Sequence, residues 1–255
     1  MKKIDSIQNQ RVKQWKKLQM KKERDKAGKF LVEGFHLVEE ALKRKECIQE
    51  IIISEEVTFP AGWNVDNVEI YVVPSYIMEA ISATETPQGI AAVCEKSNYQ
   101  NVPLQGGTFL LLDGVQDPGN LGTIIRTADA AGIGAVIIGE GCADVYNSKV
   151  LRSTQGAVFH LPIIKGSLLE WIQKLKHEGI AIFGTSLQDA VPYQEVQPIE
   201  SFALLVGNEG SGVRRELLEQ CDKNLYIPIY GQAESLNVSV AAGILTYYLR
   251  THVAN

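Results

Sequence analysis

Cysteine, histidine and long apolar runs are all scarce in this 255-residue chain, and each scarcity removes a class of function. Cys47, Cys94, Cys142 and Cys221 are widely separated and form no C-x-x-C pair, so neither a zinc cage nor a disulfide framework is expected. Four dispersed thiols fit a reducing compartment. No apolar stretch reaches the roughly 18 residues of a membrane span, and none is expected. The N-terminal residues are charged and carry no apolar leader, so a cytoplasmic location is the expectation.

Nucleotide-binding and hydrolase motifs are missing too. After Leu112 the chain reads DGVQDPGNLG, which is no G-x-G-x-x-G turn, and the glycines of 207–212 stand in the wrong order for one. No G-x-x-x-x-G-K-[ST] loop and no G-x-S-x-G elbow occurs. This disfavours ordinary NAD enzymes, P-loop NTPases and serine hydrolases.

What the chain has instead is three glycine-studded polar islands in its C-terminal half. They read DPGNLGTIIRTADAAG from Asp117, LLVGNEGSGV from Leu204 and IPIYGQAESLNVSVAAGIL from Ile227. Each follows or straddles a β-like apolar run, and each carries residues a core does not need: Asn120 and Arg126; Asn208 and Glu209; Ser235, Asn237 and Ser239. Strand ends that give way to Gly-rich loops are where α/β proteins place ligands, so one shared pocket is expected. Its carboxylates are Asp117, Asp129, Glu209 and Glu234, and His36, His160, His177 and His252 all lie outside it, which argues against metal or histidine chemistry.

Charge is uneven. Residues 1–29 hold eleven Lys/Arg against Asp5, Glu23 and Asp25, a balance of +8; the whole chain is −5, so the remaining 226 residues carry −13. A basic segment on an acidic body reads either as a polyanion contact or as a solvated lysine-rich helix. Within 6–26, Ile7, Val12, Trp15, Leu18 and Met20 follow helical spacing roughly, with Trp15 as an anchoring hydrophobe or a stacking platform.

Residues 1–95 read as a small mixed α/β unit, with strands at 30–33, 51–53 and 68–73 and a helix over 74–82 opened by Pro74. Residues 97–107, with Pro103 and Gly106–Gly107, read as a linker. From Thr108, strands at 109–112, 135–138, 159–164, 180–183, 202–206 and 225–229 alternate with helices at 121–131, 146–155, 168–177 and 235–250. Such near-continuous apolar strands imply a parallel sheet covered on both faces.

Single residues stay open at this level. Asn120 reads as the N-cap of its helix or as a ligand group, and Arg126 as a surface ion pair or an anion clamp. Glu209 reads as a partner of the helix dipole near Gly212–Val213 or as the holder of Arg126. Ser235 suits the N-cap of the last helix.

The islands, in this order and spacing, resemble the three signature motifs of the SpoU family of RNA ribose 2′-O-methyltransferases, within the SPOUT superfamily: N-L-G-x-I-x-R-T-A, G-N-E-G-x-G and I-P-x-x-G-x-x-x-S-L-N-V-S. F-L-V-E-G-x-H-L-V-E-E-A-L and T-P-Q-G-I resemble the family's ribosomal-protein-like RNA-binding domain. Val213 stands where leucine is usual.

Beside the basic arm (1–28) and the linker (97–107) read from charge and composition, the resemblance implies an RNA substrate-binding domain (29–96) and an α/β trefoil-knot methyltransferase domain with a mostly parallel sheet (108–255). It implies S-adenosylmethionine, without a metal, held by Thr185, Ser186, Gly207, Asn208, Gly210, Ile227 and Leu236. Arg126 matches the family's catalytic arginine, and Asn120, Glu209, Ser235 and Asn237 its supporting residues. It further implies a homodimer and an RNA partner, rRNA ahead of tRNA because minimal tRNA members lack the N-terminal domain. Arg11, Lys13, Lys16, Lys17, Lys21, Lys22 and Arg24 are then the expected RNA phosphate contacts. The competing readings are a tRNA 2′-O-methyltransferase, a same-fold RNA-binding assembly protein without transfer, and an unrelated small-molecule enzyme.

Overall fold

The computed structural model describes residues 1–44, 46–99 and 102–250. His252 and the linker positions 100–101 lie outside the described residues. Along the chain come β1 (Lys2–Lys3), α1 (Gln10–Lys17), α2 (Lys21–Ala27), β2 (Lys29–Glu33), α3 (Phe35–Lys43), β3 (Ile48–Ser54), β4 (Glu69–Val73), α4 (Ser75–Ile81) and β5 (Ile90–Glu95). There follow β6 (Thr108–Leu112), α5 (Pro118–Ala130), β7 (Ala135–Ile138), α6 (Ser148–Thr154), β8 (Ile163–Lys165), α7 (Leu168–His177) and β9 (Ala181–Thr185). The chain continues with β10 (Val191–Pro192), β11 (Phe202–Val206), α8 (Arg215–Leu218), β12 (Lys223–Tyr226) and α9 (Val238–Arg250). They group into two units: Met1–Asn98 with Asp144–Phe159, and Tyr99–Ala143 with the described residues from His160 onward.

The first unit is built on a mixed sheet of order β1-β4-β3-β5-β2, with β5 antiparallel to β2 and β3. Residues 1–28 are not a free arm. Lys2–Lys3 pair in parallel with β4, and α1, capped by Asn9 through the Arg11 amide at 2.9 Å, drives Val12, Trp15 and Leu18 into a core with Ile52, Tyr71 and Ile77. Trp15 is 2% exposed and donates its indole N–H to Glu50 at 2.6 Å, which makes it an anchor rather than an open stacking platform. The helical spacing over 6–26 resolves into two helices separated at Leu18–Met20, the second ending at Gly28 with φ 65°.

The two segments that resemble the RNA-binding domain meet in this unit. Gly34 turns the chain at φ 93°, and the amide of Phe35 donates to Gln88 Oε1 at 3.1 Å, so Gln88 caps α3 from the T-P-Q-G loop. The Ala83 amide donates to Glu33 at 2.8 Å and closes the same junction.

The second unit is a seven-stranded sheet, parallel throughout, of order β10-β12-β9-β11-β6-β7-β8. Its central strands TFLLL and FALLV are buried at every position, which is why their sequences run apolar without alternation. On α7, capped by Ser167, Leu168, Ile172 and Leu175 recur at helical spacing and enter the core with Phe109, Ile137 and Leu205. Several boundaries differ from the sequence expectation, and α5 already starts at Pro118 rather than 121. A 3₁₀ turn (Ala157–Phe159) and Pro162 delay the strand expected from 159 until Ile163. The strand expected over 225–229 lies at Lys223–Tyr226, two residues before Pro228. The last helix begins at Val238, not 235.

Candidate functional site

Sheet register brings the three islands together. β11 pairs with β6 so that Val206 lies beside Leu112, β9 places Gly184 beside Leu205, and β12 places Leu225 beside Thr185. Parallel strands end on one edge, so islands one, two and three and the Thr185–Ser186 turn all leave from the same side. A cleft of about 890 Å³ opens there, lined by Thr185, Ser186, Gly207–Val213, Leu225–Ile227 and Ser235–Val238.

Gly207 starts the second island because nothing larger fits. A Cβ there would stand 2.2 Å from Gly212 C and Val213 N, inside the backbone of its own loop. Asn208 then organises that loop: its Oδ1 accepts from the amides of Gly210 at 2.9 Å and Ser211 at 3.0 Å, and its Nδ2 donates to Gly114 O at 2.8 Å. Gly212 N and O both bond Asn208, closing the turn.

Glu209 fastens the second island to the first. Its carboxylate accepts from the amides of Gln116 at 3.1 Å and Asp117 at 3.0 Å, and from Asn120 Nδ2 at 3.0 Å. Partial burial pushes this carboxyl up, but the hydrogen bonds from Asn120 and the two amides outweigh it and hold it below its ordinary value. Asn120 in turn accepts from Asn237 Nδ2 at 2.9 Å, and Asn237 Oδ1 accepts from Ser239 N at 2.9 Å and Ser239 Oγ at 2.6 Å. One continuous chain of hydrogen bonds therefore spans all three islands.

These contacts correct three expectations. Asn120 is not the cap of α5: Asp117 is, accepting from the Asn120 amide at 2.9 Å with Pro118 in the first turn, which frees the Asn120 amide group for Glu209 and Asn237. Among the described residues Glu209 bonds neither the helix after Gly212 nor the chain's own Arg126; it anchors the start of α5. Ser235 does not cap α9, where Asn237 takes the Ser239 amide; it stays exposed on the wall of the cleft.

Of the residues expected to hold a cofactor, Thr185, Ser186, Gly207, Asn208, Gly210, Ile227 and Leu236 all line the cleft, as do Glu209, Ser235 and Asn237. Asn120 joins them through its two bonds. Arg126 stands apart from this lining: it is exposed on α5, with no ion pair among the described residues. Sequence reasoning missed Asp113, only 3% exposed, which accepts from Arg214 N and Nε, both at 2.9 Å, and so pins the end of the second island. A carboxylate directly after the apolar run TFLLL was the signal for it.

In the first unit, Lys13, Lys16, Lys17, Lys21 and Lys22 are exposed. Arg11 is half-buried and pairs with Glu50 at 2.6 Å and Glu69 at 3.2 Å. Arg24 does not join the exposed set: it is buried, donating to the carbonyls of Leu18 at 2.8 Å and Gln19 at 2.7 Å and pairing with Asp144. These bonds leave it as an internal brace between α1 and α2.

Residues 107–247 match the SpoU rRNA Methylase family, and residues 9–92 match the MRM3-like substrate binding domain. The chain belongs to the SpoU family. It is similar to the 23S rRNA (guanosine(2553)-2′-O)-methyltransferase RlmP of Bacillus subtilis (strain 168), 52% identical over 250 residues, 98% of this chain and 100% of that protein. It also resembles the crystal structure of the AdoMet-bound rRNA methyltransferase from Sinorhizobium meliloti, with a TM-score of 0.88 and 31% identity over 100% of this chain and 99% of that one. The SpoU methyltransferase AviRb from Streptomyces viridochromogenes, in complex with AdoMet, gives a TM-score of 0.84 at 26% identity, covering 96% of this chain and 98% of its own. For a SpoU-family chain the three islands are the family's motifs, and the second unit is its mostly parallel α/β domain. No helix among the described residues is long and apolar enough to cross a membrane.

Proposed function

We propose that this chain transfers the methyl group of S-adenosylmethionine to a ribose 2′-hydroxyl of 23S rRNA, at the nucleotide corresponding to the one that the Bacillus relative's name records. The observation that carries the chemistry is the cleft at the sheet edge, whose walls are tied together by the Glu209–Asn120–Asn237 chain. Its volume of about 890 Å³ suits a small-molecule ligand. Gly207 lets backbone come close, and the lining mixes amides and carbonyls with Ser, Asn and Leu side chains, which fits a zwitterionic nucleoside.

Thr185, Ser186, Gly207, Asn208, Gly210, Ile227 and Leu236 would hold S-adenosylmethionine in that cleft. When bound, it supplies a methyl on a sulfonium that is already an activated leaving group. The chain's task is then to align the 2′-oxygen and steady the charge that develops on it. Arg126 takes that role. A guanidinium stays charged at any working pH, so it clamps phosphate and stabilises the developing alkoxide, while the proton leaves to phosphate or water. Asn120, Glu209, Ser235 and Asn237 shape the cleft wall against which the acceptor ribose would be placed.

Arg126 lies outside the cleft of its own chain, and α9 offers a reason. Val240, Ile244 and Tyr247 recur at helical spacing and stay exposed, while Ala242, Leu245 and Leu249 are buried. We infer a homodimer that covers this stripe and completes the site. We assign RNA binding to the first unit, through the exposed lysines of α1 and α2, and place the protein in the cytoplasm with its rRNA substrate; the four free cysteines fit that compartment. The trefoil knot of the second unit stays part of the family reading.

The test is transfer from methyl-labelled S-adenosylmethionine to undermethylated 23S rRNA, followed by nucleoside analysis. The expected product is a single 2′-O-methylated nucleoside. Label on a base, or transfer to tRNA in preference to rRNA, would overturn the assignment.

A further inference from the structure

A second cleft, of about 410 Å³, opens in the first unit among α1, α2, the start of β2 and the strands behind them. Its inner wall is apolar, with Leu18 and Val93 buried beside Trp15. Glu50 also reaches it, but that carboxylate is already taken by Arg11 and by the Trp15 indole, both at 2.6 Å. Lys17, Lys26 and Lys29 line the mouth against Glu23 alone, and none of the three forms an ion pair among the described residues.

An apolar slot ringed by unpaired ammonium groups complements a flat ligand that carries phosphate. A paired, A-form stem would need the lysines but not the slot, since its bases are stacked inside the helix. An unpaired nucleotide needs both. We propose that this cleft receives one unpaired nucleotide of the RNA substrate, its base against Leu18 and Val93 and its flanking phosphates on Lys17, Lys26 and Lys29. The inference rests on the reading of this unit as the RNA-binding part, and it makes a sharper claim: these lysines flank a base pocket, whereas Lys13 and Lys21 belong to a general basic surface.

Ala27 forms part of the wall and is exposed, so Ala27→Trp fills the slot without touching the core. Binding of the full chain to a single-stranded RNA of mixed sequence, and to a duplex of equal length, is measured at fixed salt with a fluorescent label. Ala27→Trp is expected to weaken the single strand about tenfold, the scale of losing one base contact, with duplex binding and S-adenosylmethionine affinity unchanged. The double variant Lys17→Glu/Lys26→Glu is expected to lose more single-strand affinity than Lys13→Glu/Lys21→Glu, which changes the charge equally. Unchanged single-strand binding by folded Ala27→Trp would overturn the pocket, and so would equal losses from the two charge-reversed pairs. An acidic peptide that binds the wild type, fails on Ala27→Trp and displaces the single strand would also overturn the nucleotide assignment. Wild-type protein that binds no RNA at all would instead overturn the proposed function.

Discussion

Asn120 Nδ2 donates to the Glu209 carboxylate at 3.0 Å, across 89 residues of sequence. This bond joins the first island to the second, and Asn120 passes the connection on to Asn237 in the third. The cleft wall thus responds as a unit, because each of its loops is held by a group belonging to another.

That linkage predicts coupling. Asn120→Ala and Glu209→Gln should each weaken S-adenosylmethionine binding, and the double variant should cost less than the sum of the two. A double-mutant cycle on cofactor affinity is expected to give an interaction of about 0.5–3 kcal/mol, the range for side chains in one network. Strict additivity would show that the two groups act separately.

Gly207→Ala places a methyl 2.2 Å from the backbone of Gly212 and Val213. Backbone has little freedom to give way, so the expected cost is about 1–3 kcal/mol of stability. Because the displaced loop is the cleft wall, cofactor affinity should fall by more than the loss of stability alone accounts for. Calorimetry of folding and of binding on the same variant separates the two.

Acid should loosen the edge of the first unit. Hydrogen bonds from Lys2 and Tyr71 hold the Glu69 carboxyl at about 2, well below its ordinary 4.5. A depressed carboxyl contributes stability that is fully present above about 4.5 and is lost as pH falls towards 2. The melting temperature of Glu69→Gln should therefore lie below that of the wild type near neutrality, and the two curves should converge towards pH 2.

The α9 stripe predicts an association. Val240, 49% exposed, sits beside Ile244 on the open face of the helix. Val240→Asp should leave the monomer folded, since the buried face is Ala242, Leu245 and Leu249, while sedimentation shifts from dimer to monomer and transfer falls. A wild type that sediments as a monomer under assay conditions would remove this part of the account.

The strands of the second unit were legible because they are buried on both faces: Phe109–Leu112 and Phe202–Val206 run apolar without a polar partner face. Their adjacency was not. β6 and β11 are about ninety residues apart, and no local pattern in either records that Leu112 will lie beside Val206. The islands could therefore be named from sequence, while the Glu209–Asn120–Asn237 chain could not. In D-P-G-N, Asp117 and Asn120 compete for one cap, and Pro118 favours the earlier site; weighing that rule would have freed Asn120 for the cleft. The burial of Arg24 is hidden from the sequence for a different reason. Counting charge treats every arginine as available, but this one bonds the carbonyls that the break between α1 and α2 leaves open.

The central claim is that the cleft binds the methyl donor while Arg126, outside it, serves the acceptor ribose. Arg126→Ala separates these roles in one preparation, with S-adenosylmethionine binding measured by calorimetry and single-turnover transfer to rRNA measured beside it. Cofactor affinity should stay within about twofold of the wild type while transfer falls at least about 10²-fold, the usual scale for removing an oxyanion-stabilising group. Near-normal transfer by Arg126→Ala would contradict the account.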